Sequence, residues 1–579
     1  MLFDIKCSTK TVTYKESIKY PIPSEGSLWF PVNLPKFDTN VLSKSKNNIA
    51  FDIVHGFLHN ELDKQVLEKI IADVFTFDAP CRLLKRDTYV CDLTNGPTKA
   101  FKDFGGRLSA RVIKEFFKSS GTIAAATSGD TGGAIVHACE ESNISSIVLY
   151  PKNRISNYQL SQISSNKHKY AIPIAVEGTF DDCQKTIKTI LMNSENIFSG
   201  NSVGILRLIA QIVYYFWIAK DIGDIFSVIV PTGNLGNAVA AAMAKTMGAP
   251  IDKIVIACND NCTITKDILI GNDELDTNNT LRSHSTLSSA MDVCIPSNLI
   301  RMQYLCKINK ELCDSIDLIV INDLQTTNTI SSTYKDYGLV VDPHTAVGIA
   351  ANESIELKSP SIVLSTASPV KFNDNIDKIL SSQFGYKSQS IPMILNVKDI
   401  VMRSSAMPKI LNRRNIIFTG MPGSGKTTYG RKLASQLKLN FINVDTVIEN
   451  KYNSTLQKII QTYGSGEFEN IEKNACIDAI NNCTKTVISP GGSANLIKDV
   501  FEKSKESCLV IWINVDHDIL LERLGDLDER GVVMNPGETF IQLFERRCAN
   551  YRENYDISID NNNFPIMFKF LKHWYNSPK

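Results

Sequence analysis

Residues 420–427 read GMPGSGKT, which fits G-x-x-x-x-G-K-[ST] in full. In such a loop the backbone N–H groups of Gly420, Gly423, Ser424 and Gly425 wrap phosphates. Lys426 reaches the β- and γ-phosphates, Thr427 ligates Mg²⁺, and Thr428 continues into the helix. The chemistry is binding of ATP with Mg²⁺ and transfer of its terminal phosphoryl group. A second set of residues lies far upstream. Segment 94–107, TNGPTKAFKDFGGR, sets Lys102 between Phe101 and Asp103. A lysine that condenses with a carbonyl must shed its proton, and burial promotes that. The bland alternative for the same residue is a solvated surface amine.

Three loops could serve that lysine. Segment 127–133, TSGDTGG, offers Ser128, Gly129, Asp130 and Thr131 at a helix start, either as an anion site or as a capped turn. Segment 230–237, VPTGNLGN, carries Gly233, Asn234, Leu235, Gly236 and Asn237, which suit a phosphate cradle. Its spacing is not G-x-G-x-x-G, and no acidic residue stands as a ribose ligand, so the segment reads poorly as an NAD site. In VLSTASPVKF, 363–372, Thr366 falls just past a strand end, where it could meet a cofactor edge. His344, alone in VDPHTAVG, reads as structural.

These loops need strands to hold them. Buried strands are predicted at Thr122–Ala126, Ser145–Tyr150, Ile225–Val230, Lys253–Ala257 and Ser361–Leu364, then at Asn415–Thr419, Thr486–Ser489 and Leu509–Ile513. Helical runs such as Asn237–Thr246 lie between them. This alternation predicts α/β sheets, mainly parallel, with ligands at the strand carboxyl ends. A polar, basic stretch at 396–412 with Pro408 reads as a linker between a first unit, 1–395, and a second, 413–579.

Composition excludes several classes. The chain has 579 residues, 62 Lys plus Arg against 61 Asp plus Glu, and 43% hydrophobic residues, so it lacks the charge of a nucleic-acid binder. Fourteen cysteines without a C-x-x-C pair fit free thiols rather than a disulfide framework or zinc ribbon. No apolar signal core opens the chain, and the apolar run Val203–Ile222 is broken by Arg207 and Lys220, so it is expected to be a buried helix. A cytoplasmic protein with no membrane or nucleic-acid partner is expected, its oligomeric state open. His55 and His59 have helical spacing, but Gly56 stands where a zinc helix needs Glu. Tyr214-Tyr215-Phe216-Trp217 reads as core.

With those motifs on the page, the first unit resembles threonine synthase, a pyridoxal-phosphate (PLP) enzyme of the tryptophan-synthase-β-like fold (fold type II). GPTKAFKDFG, TSGDTG, NSVGILRLIAQIVYYF, PTGNLG, SSAMDVCIPSN, DPHTAVG and STASPVKF occur in that family's order. The resemblance implies an N-terminal region at 1–95 and the PLP-dependent catalytic region at 96–395. It implies that Lys102 carries the cofactor and moves protons, that residues 233–237 hold its phosphate, and that Thr366 meets the pyridine nitrogen. Ser128, Gly129, Asp130 and Thr131 would hold the substrate carboxylate, and Arg107 or Lys371 its phosphate. The implied reaction is O-phosphohomoserine plus water to threonine plus phosphate. Ser368 and Gly204 stand where the family has His and Asn, so a phospho-lyase outcome is the competing expectation.

The second unit resembles shikimate kinase. Asp445 and Glu449 match that family's acidic landmarks after the second strand. Gly491 and Gly492 match its acceptor loop, Arg530 its lid arginine and Arg547 an acceptor-binding arginine. The chain departs at Asn443, Ser493 and above all Glu469, which replaces the arginine that holds the shikimate carboxylate. That exchange reverses the charge opposite the acceptor and favours one bearing an ammonium. Homoserine is the expected acceptor, with Glu469 on its ammonium, Arg547 on its carboxylate and Asp445 at its hydroxyl. Lys426 and Arg530 would stabilise the transferring phosphoryl group. The alternatives are a true shikimate kinase and a nucleotide-binding regulatory module.

Overall fold

The structure is a computed structural model, and it describes residues 1–118, 121–271, 273, 283–388, 399–403, 405–491, 494, 497–524, 537–560 and 563–575. The chain divides into two compact units. The first comprises Met1–Val148, Arg154–Ala171 and Ser194–Asn396; the second comprises Leu149–Asn153, Ile172–Asn193 and Val397–Lys579.

The first unit is built on a six-stranded sheet. Its order is Ile316–Ile321, Ile251–Asn259, Phe226–Pro231, Ser361–Ser365, Thr88–Asp92 and Cys81–Lys85. The first five strands run parallel, and only Cys81–Lys85 is antiparallel to its neighbour. Strand Phe226–Pro231 is buried at every position, so it reads as a continuous apolar run rather than an alternating one. Thr122–Ala126 is equally buried and pairs in parallel with Ile197–Ser199. The apolar run near 203–222 is the helix Ile205–Ile222, buried from Ile205 through Ala219 and closed by Gly223 at a φ of 72°. No helix among the described residues is long and apolar enough to cross a membrane.

The second unit orders its strands Asn440–Asn443, Thr486–Ser489, Asn415–Thr419, Cys508–Asn514 and Ile557–Asp560, all parallel. The stretch read as a linker at 396–412 carries secondary structure where it is described. Ile400–Met402 is a strand, antiparallel to Ile557–Ser558 on one side and parallel to Ile174–Val176 on the other. The helix Ala406–Leu411 follows, with Ala406, Met407 and Ile410 buried. Its apolar triplet is short enough to be lost among the surrounding basic residues. Glu177 helps hold this corner, accepting from Arg403 Nε at 3.0 Å and from the Tyr555 hydroxyl at 2.5 Å.

The sequence-predicted strands fall within one or two residues of the observed ones, from Thr122–Ala126 to Cys508–Asn514. No disulfide forms; all fourteen cysteines are free. No cluster of metal-ligating side chains is found among the described residues, His55 and His59 included.

Candidate active sites

In the first unit Lys102 opens the helix Lys102–Phe117. The turn before it is tied to the loop that follows Ser361–Ser365. Phe101 N–H donates to the Thr366 carbonyl at 3.0 Å, and Ser368 N–H donates to the Lys99 carbonyl at 3.0 Å. This lays Thr366 and Lys371 beside Lys102. Burial pushes the Lys102 amine down to about 8, with the Lys371 and Arg207 cations helping and Asp130 opposing. A neutral amine is the form that attacks a carbonyl.

Asp130 faces this amine from the first turn of the helix Asp130–Ser142, its Oδ2 3.9 Å from Lys102 Nζ. Its Oδ1 accepts from Lys371 Nζ at 2.7 Å and from Gln159 Nε2 at 3.0 Å. Burial works to raise the Asp130 carboxyl, but the Lys371 and Lys102 cations outweigh it and hold it well below the usual carboxylate range. A carboxylate so engaged repels another carboxylate. Of the four residues expected to hold the substrate carboxylate, Ser128 and Thr131 are half-exposed and present hydroxyls, while Asp130 is turned to the lysines. Gly129 sits at a φ of 133°, and a Cβ there would strike the Gln159 amide. Thr127, which the motif reading passed over, shapes the loop: its Oγ1 accepts from Gly129 N–H at 2.8 Å and Gly132 N–H at 2.9 Å.

The loop 233–237 joins Phe226–Pro231 to the helix Gly236–Met247, with Leu235 left-handed at a φ of 57°. The first N–H groups of that helix have no intrahelical acceptor. The loop is fastened from behind: Asn298 Nδ2 donates to the Asn234 carbonyl at 3.0 Å, and Ser297 N–H donates to Asn234 Oδ1 at 3.2 Å. Tyr214 and Tyr215, read from sequence only as core, both donate hydroxyl protons to Asn237 Oδ1, at 2.5 and 2.6 Å. That leaves Asn237 Nδ2 buried with no partner among the described residues. At Gly233 a Cβ would lie 2.9 Å from the Met291 backbone. A glycine-dependent cradle with orphaned donors fits a phosphate, and with the low-lying Lys102 amine the residues fit PLP.

Arg301 explains how these loops stay together. It is fully buried and donates to the carbonyls of Trp29, Ser202 and Val203 and to Asn298 Oδ1. Arg107 is engaged elsewhere, donating to Glu141 Oε1 at 3.1 Å and to the Asp73 carbonyl. His344 is held at both ring nitrogens: its Nδ1 lies 2.7 Å from Asp342 Oδ1, and Nε2 accepts from Ala290 N–H at 3.1 Å.

In the second unit the loop 420–425 follows Asn415–Thr419 and leads into the helix Lys426–Leu437. Gly420, Gly423 and Gly425 all have positive φ, at 142°, 76° and 99°. Lys426 curls over the loop, donating to the Gly420 carbonyl at 2.9 Å and the Met421 carbonyl at 3.0 Å. Burial pushes this amine down to about 8, with Asp445 opposing. Thr427 Oγ1 lies 3.2 Å from Ser489 Oγ, at the end of Thr486–Ser489. Ser424 Oγ is buried without a partner among the described residues, a donor suited to a phosphate. Thr428 is on the first turn of that helix.

Asp445 lies on the helix Val444–Tyr452, its carboxyl raised by burial against the pull of Lys426. Glu472, 2% exposed, reaches the same place: a Cβ at Gly491 would collide with its carboxylate and stand 3.0 Å from Asp445 Oδ1. Arg547 is buried on the helix Phe540–Glu553. Its charge and that of Glu472 both bear on Lys426. Glu469 is exposed, one residue past the buried Phe468. Lys473, one helical turn on, pairs with Asp499. The acidic side chain at the centre is therefore Glu472, and the signal for it was Phe468, whose inward face Glu472 continues at helical spacing. Gly492 and Arg530 lie outside the described residues.

Comparisons with known proteins agree with both halves. Residues 78–367 match the family model "Pyridoxal-phosphate dependent enzyme" and 345–412 match "Threonine synthase, C-terminal". Residues 422–574 match "Shikimate kinase". The threonine synthase of Buchnera aphidicola subsp. Schizaphis graminum is 33% identical over 399 residues, 66% of this chain and 91% of that protein. The crystal structure of threonine synthase from Escherichia coli superposes with a TM-score of 0.63 at 28% identity, covering 70% of this chain and 96% of that one. A PLP-bound threonine synthase from Brucella melitensis gives 0.61 at 26% identity, covering 70% and 96%.

Proposed function

Because the chain belongs to the threonine synthase family of PLP-dependent enzymes and carries a shikimate kinase family domain behind it, we propose that it catalyses two consecutive steps: ATP-dependent phosphorylation of homoserine, then conversion of O-phosphohomoserine and water to threonine and phosphate. The observation that carries the pairing is the acceptor side of the kinase site, where two carboxylates, Asp445 and Glu472, flank Gly491 and the buried Arg547 adds its charge around the same Lys426. A zwitterion with a hydroxyl matches that charge pattern better than a carboxylate alone.

In the synthase site, the N–H groups of residues 233–237 and Asn237 Nδ2 would hold the cofactor phosphate, and Thr366 would serve the ring nitrogen. PLP, when bound, delocalises the electron pairs that form at the α and β carbons. Lys102 Nζ takes the α proton and returns protons along the substrate chain. Ser128 and Thr131 hold the substrate carboxylate through hydroxyl and backbone donors. Phosphate leaves from the γ carbon and water adds at the β carbon. In the kinase site, the loop 420–425 and Lys426 would hold the ATP phosphates, Thr427 would hold Mg²⁺, and the charge of Arg530 would stabilise the transferring group. Asp445, with its raised carboxyl, takes the acceptor hydroxyl proton. Arg547 takes the acceptor carboxylate, and Glu472 its ammonium.

The test uses full-length protein with ATP, Mg²⁺ and PLP. L-homoserine and shikimate are offered separately while ADP, phosphate and threonine are read together. Threonine from homoserine and ATP is the expected result. ADP formed only with shikimate would overturn the acceptor assignment, and 2-oxobutyrate in place of threonine would make the first unit a phospho-lyase.

A further inference from the structure

Two lysines and one carboxylate are buried together in the synthase site, an arrangement the motif chemistry does not explain. Lys371, on the turn Pro369–Phe372, has a side chain with no exposed surface. It donates to Asp130 Oδ1 at 2.7 Å, while Lys102 Nζ stands 3.9 Å from Asp130 Oδ2. Gln159 adds a 3.0 Å bond to the Oδ1 that Lys371 uses. The carboxylate is thus committed to Lys371 by contact and to Lys102 only at longer range.

We propose that Lys371 is a positioning residue of the synthase: by pairing with Asp130 it occupies the carboxylate that stands within ion-pair distance of Lys102 and would otherwise hold it as an ammonium, and so keeps Lys102 available as the attacking amine. The assignment rests on the reading of Lys102 as the cofactor-bearing lysine. The charges facing Lys102 come from four elements: Asp130 on the helix Asp130–Ser142, Lys371 on its turn, Arg207 on the helix Ile205–Ile222, and Asp342 at the cap of Pro343–Glu353. His344 also faces Asp130, and Lys371 also faces Asp103. Of these groups, Lys371 alone donates a charged hydrogen bond to Asp130. Removing its charge leaves Asp130 with Lys102 as its nearest cation. The proton on Lys102 is then harder to remove, because an opposite charge favours the charged form.

The test reads the amine directly in the full-length chain without cofactor. Reductive methylation with formaldehyde and cyanoborohydride is followed at the Lys102 peptide by mass spectrometry across pH. The amine adds to formaldehyde, water leaves, and hydride from the reagent reduces the product, so the initial rate follows the neutral fraction. In Lys371→Gln the profile is expected to move up by about one pH unit, slowing labelling about tenfold at pH 7. Lys371→Arg, which keeps the charge, is expected to label like the parent. Lys371→Met keeps the stem without the charge and serves if the glutamine variant does not fold. An unmoved profile in the uncharged variants, or an equal shift in Lys371→Arg, overturns the proposal. Borohydride reduction of the PLP-loaded parent tests the underlying reading separately: cofactor mass on any peptide other than that of Lys102 would refute that reading, whatever the methylation profile.

Discussion

The two tyrosine hydroxyls on Asn237 make a prediction that can be worked through in numbers. Both donate to one oxygen, at 2.5 and 2.6 Å, from rings that are fully buried. Burial also holds both phenols far above the usual phenol range, so they remain donors at any working pH. Tyr214→Phe or Tyr215→Phe removes one hydroxyl and keeps the ring packing, including the edge-on Phe104–Tyr214 contact at 5.2 Å between centroids. With the other hydroxyl still in place, Asn237 Oδ1 stays satisfied, and each single change costs about 0.5–1 kcal/mol of stability. The double variant leaves a buried acceptor with no donor, which costs about 2–3 kcal/mol in all. The pair is therefore more than additive, because the two bonds share one acceptor. The same change frees the amide to turn its oxygen toward the cradle, so PLP affinity follows: about 2–5-fold weaker in each single variant and on the order of 30–150-fold in the double. Urea unfolding and a PLP titration of the parent and the three variants complete the cycle. Strictly additive losses, or a double variant that binds PLP like the parent, would refute the idea that these hydroxyls orient Asn237 Nδ2.

Three further outcomes are expected. Lys426→Ala should abolish ATP turnover while threonine still forms from supplied O-phosphohomoserine; loss of both activities would mean the two sites depend on one another. Glu472→Gln should raise the KM for homoserine at least tenfold with a smaller change in kcat, while Glu469→Gln changes it less than threefold; the reverse order would return the ammonium role to Glu469. Lys102 and Lys426 are both pushed down to about 8 from an ordinary 10.5, so between those pH values the unfolded chain holds protons that the folded one does not. Stability contributed by these groups therefore rises with pH from about 8 to 10.5. Lys426→Met should flatten that rise in urea unfolding measured at pH 7.5 and 10, and an unchanged slope would refute the assignment.

Much of this protein is written locally. The strand Phe226–Pro231 and the loop after it, or Asn415–Thr419 and GMPGSGKT, place themselves, because a buried parallel strand is a continuous apolar run and a phosphate loop needs its glycines at fixed spacing. The families, the glycine loops and the two motif lysines were legible for that reason. The partners of those lysines were not. Lys371 and Asp130 are 241 positions apart, Tyr214 and Asn237 are 23 apart, and Arg301 reaches back 272 positions to Trp29. No spacing rule connects such pairs, since only chain closure brings them within hydrogen-bonding distance. Which of Glu469 and Glu472 is buried beside Gly491 was likewise decided by the rotation of a helix that breaks at Gly464, not by the motif that contains them both. The strand Ile400–Met402 is too short to declare itself and exists because edges on both sides offer hydrogen bonds. The amino-acid order by itself determined the two families, the glycine loops and the lysines that stand in them; the tertiary structure decided the charges around Lys102, because electrostatics depends on distance in space and not along the chain.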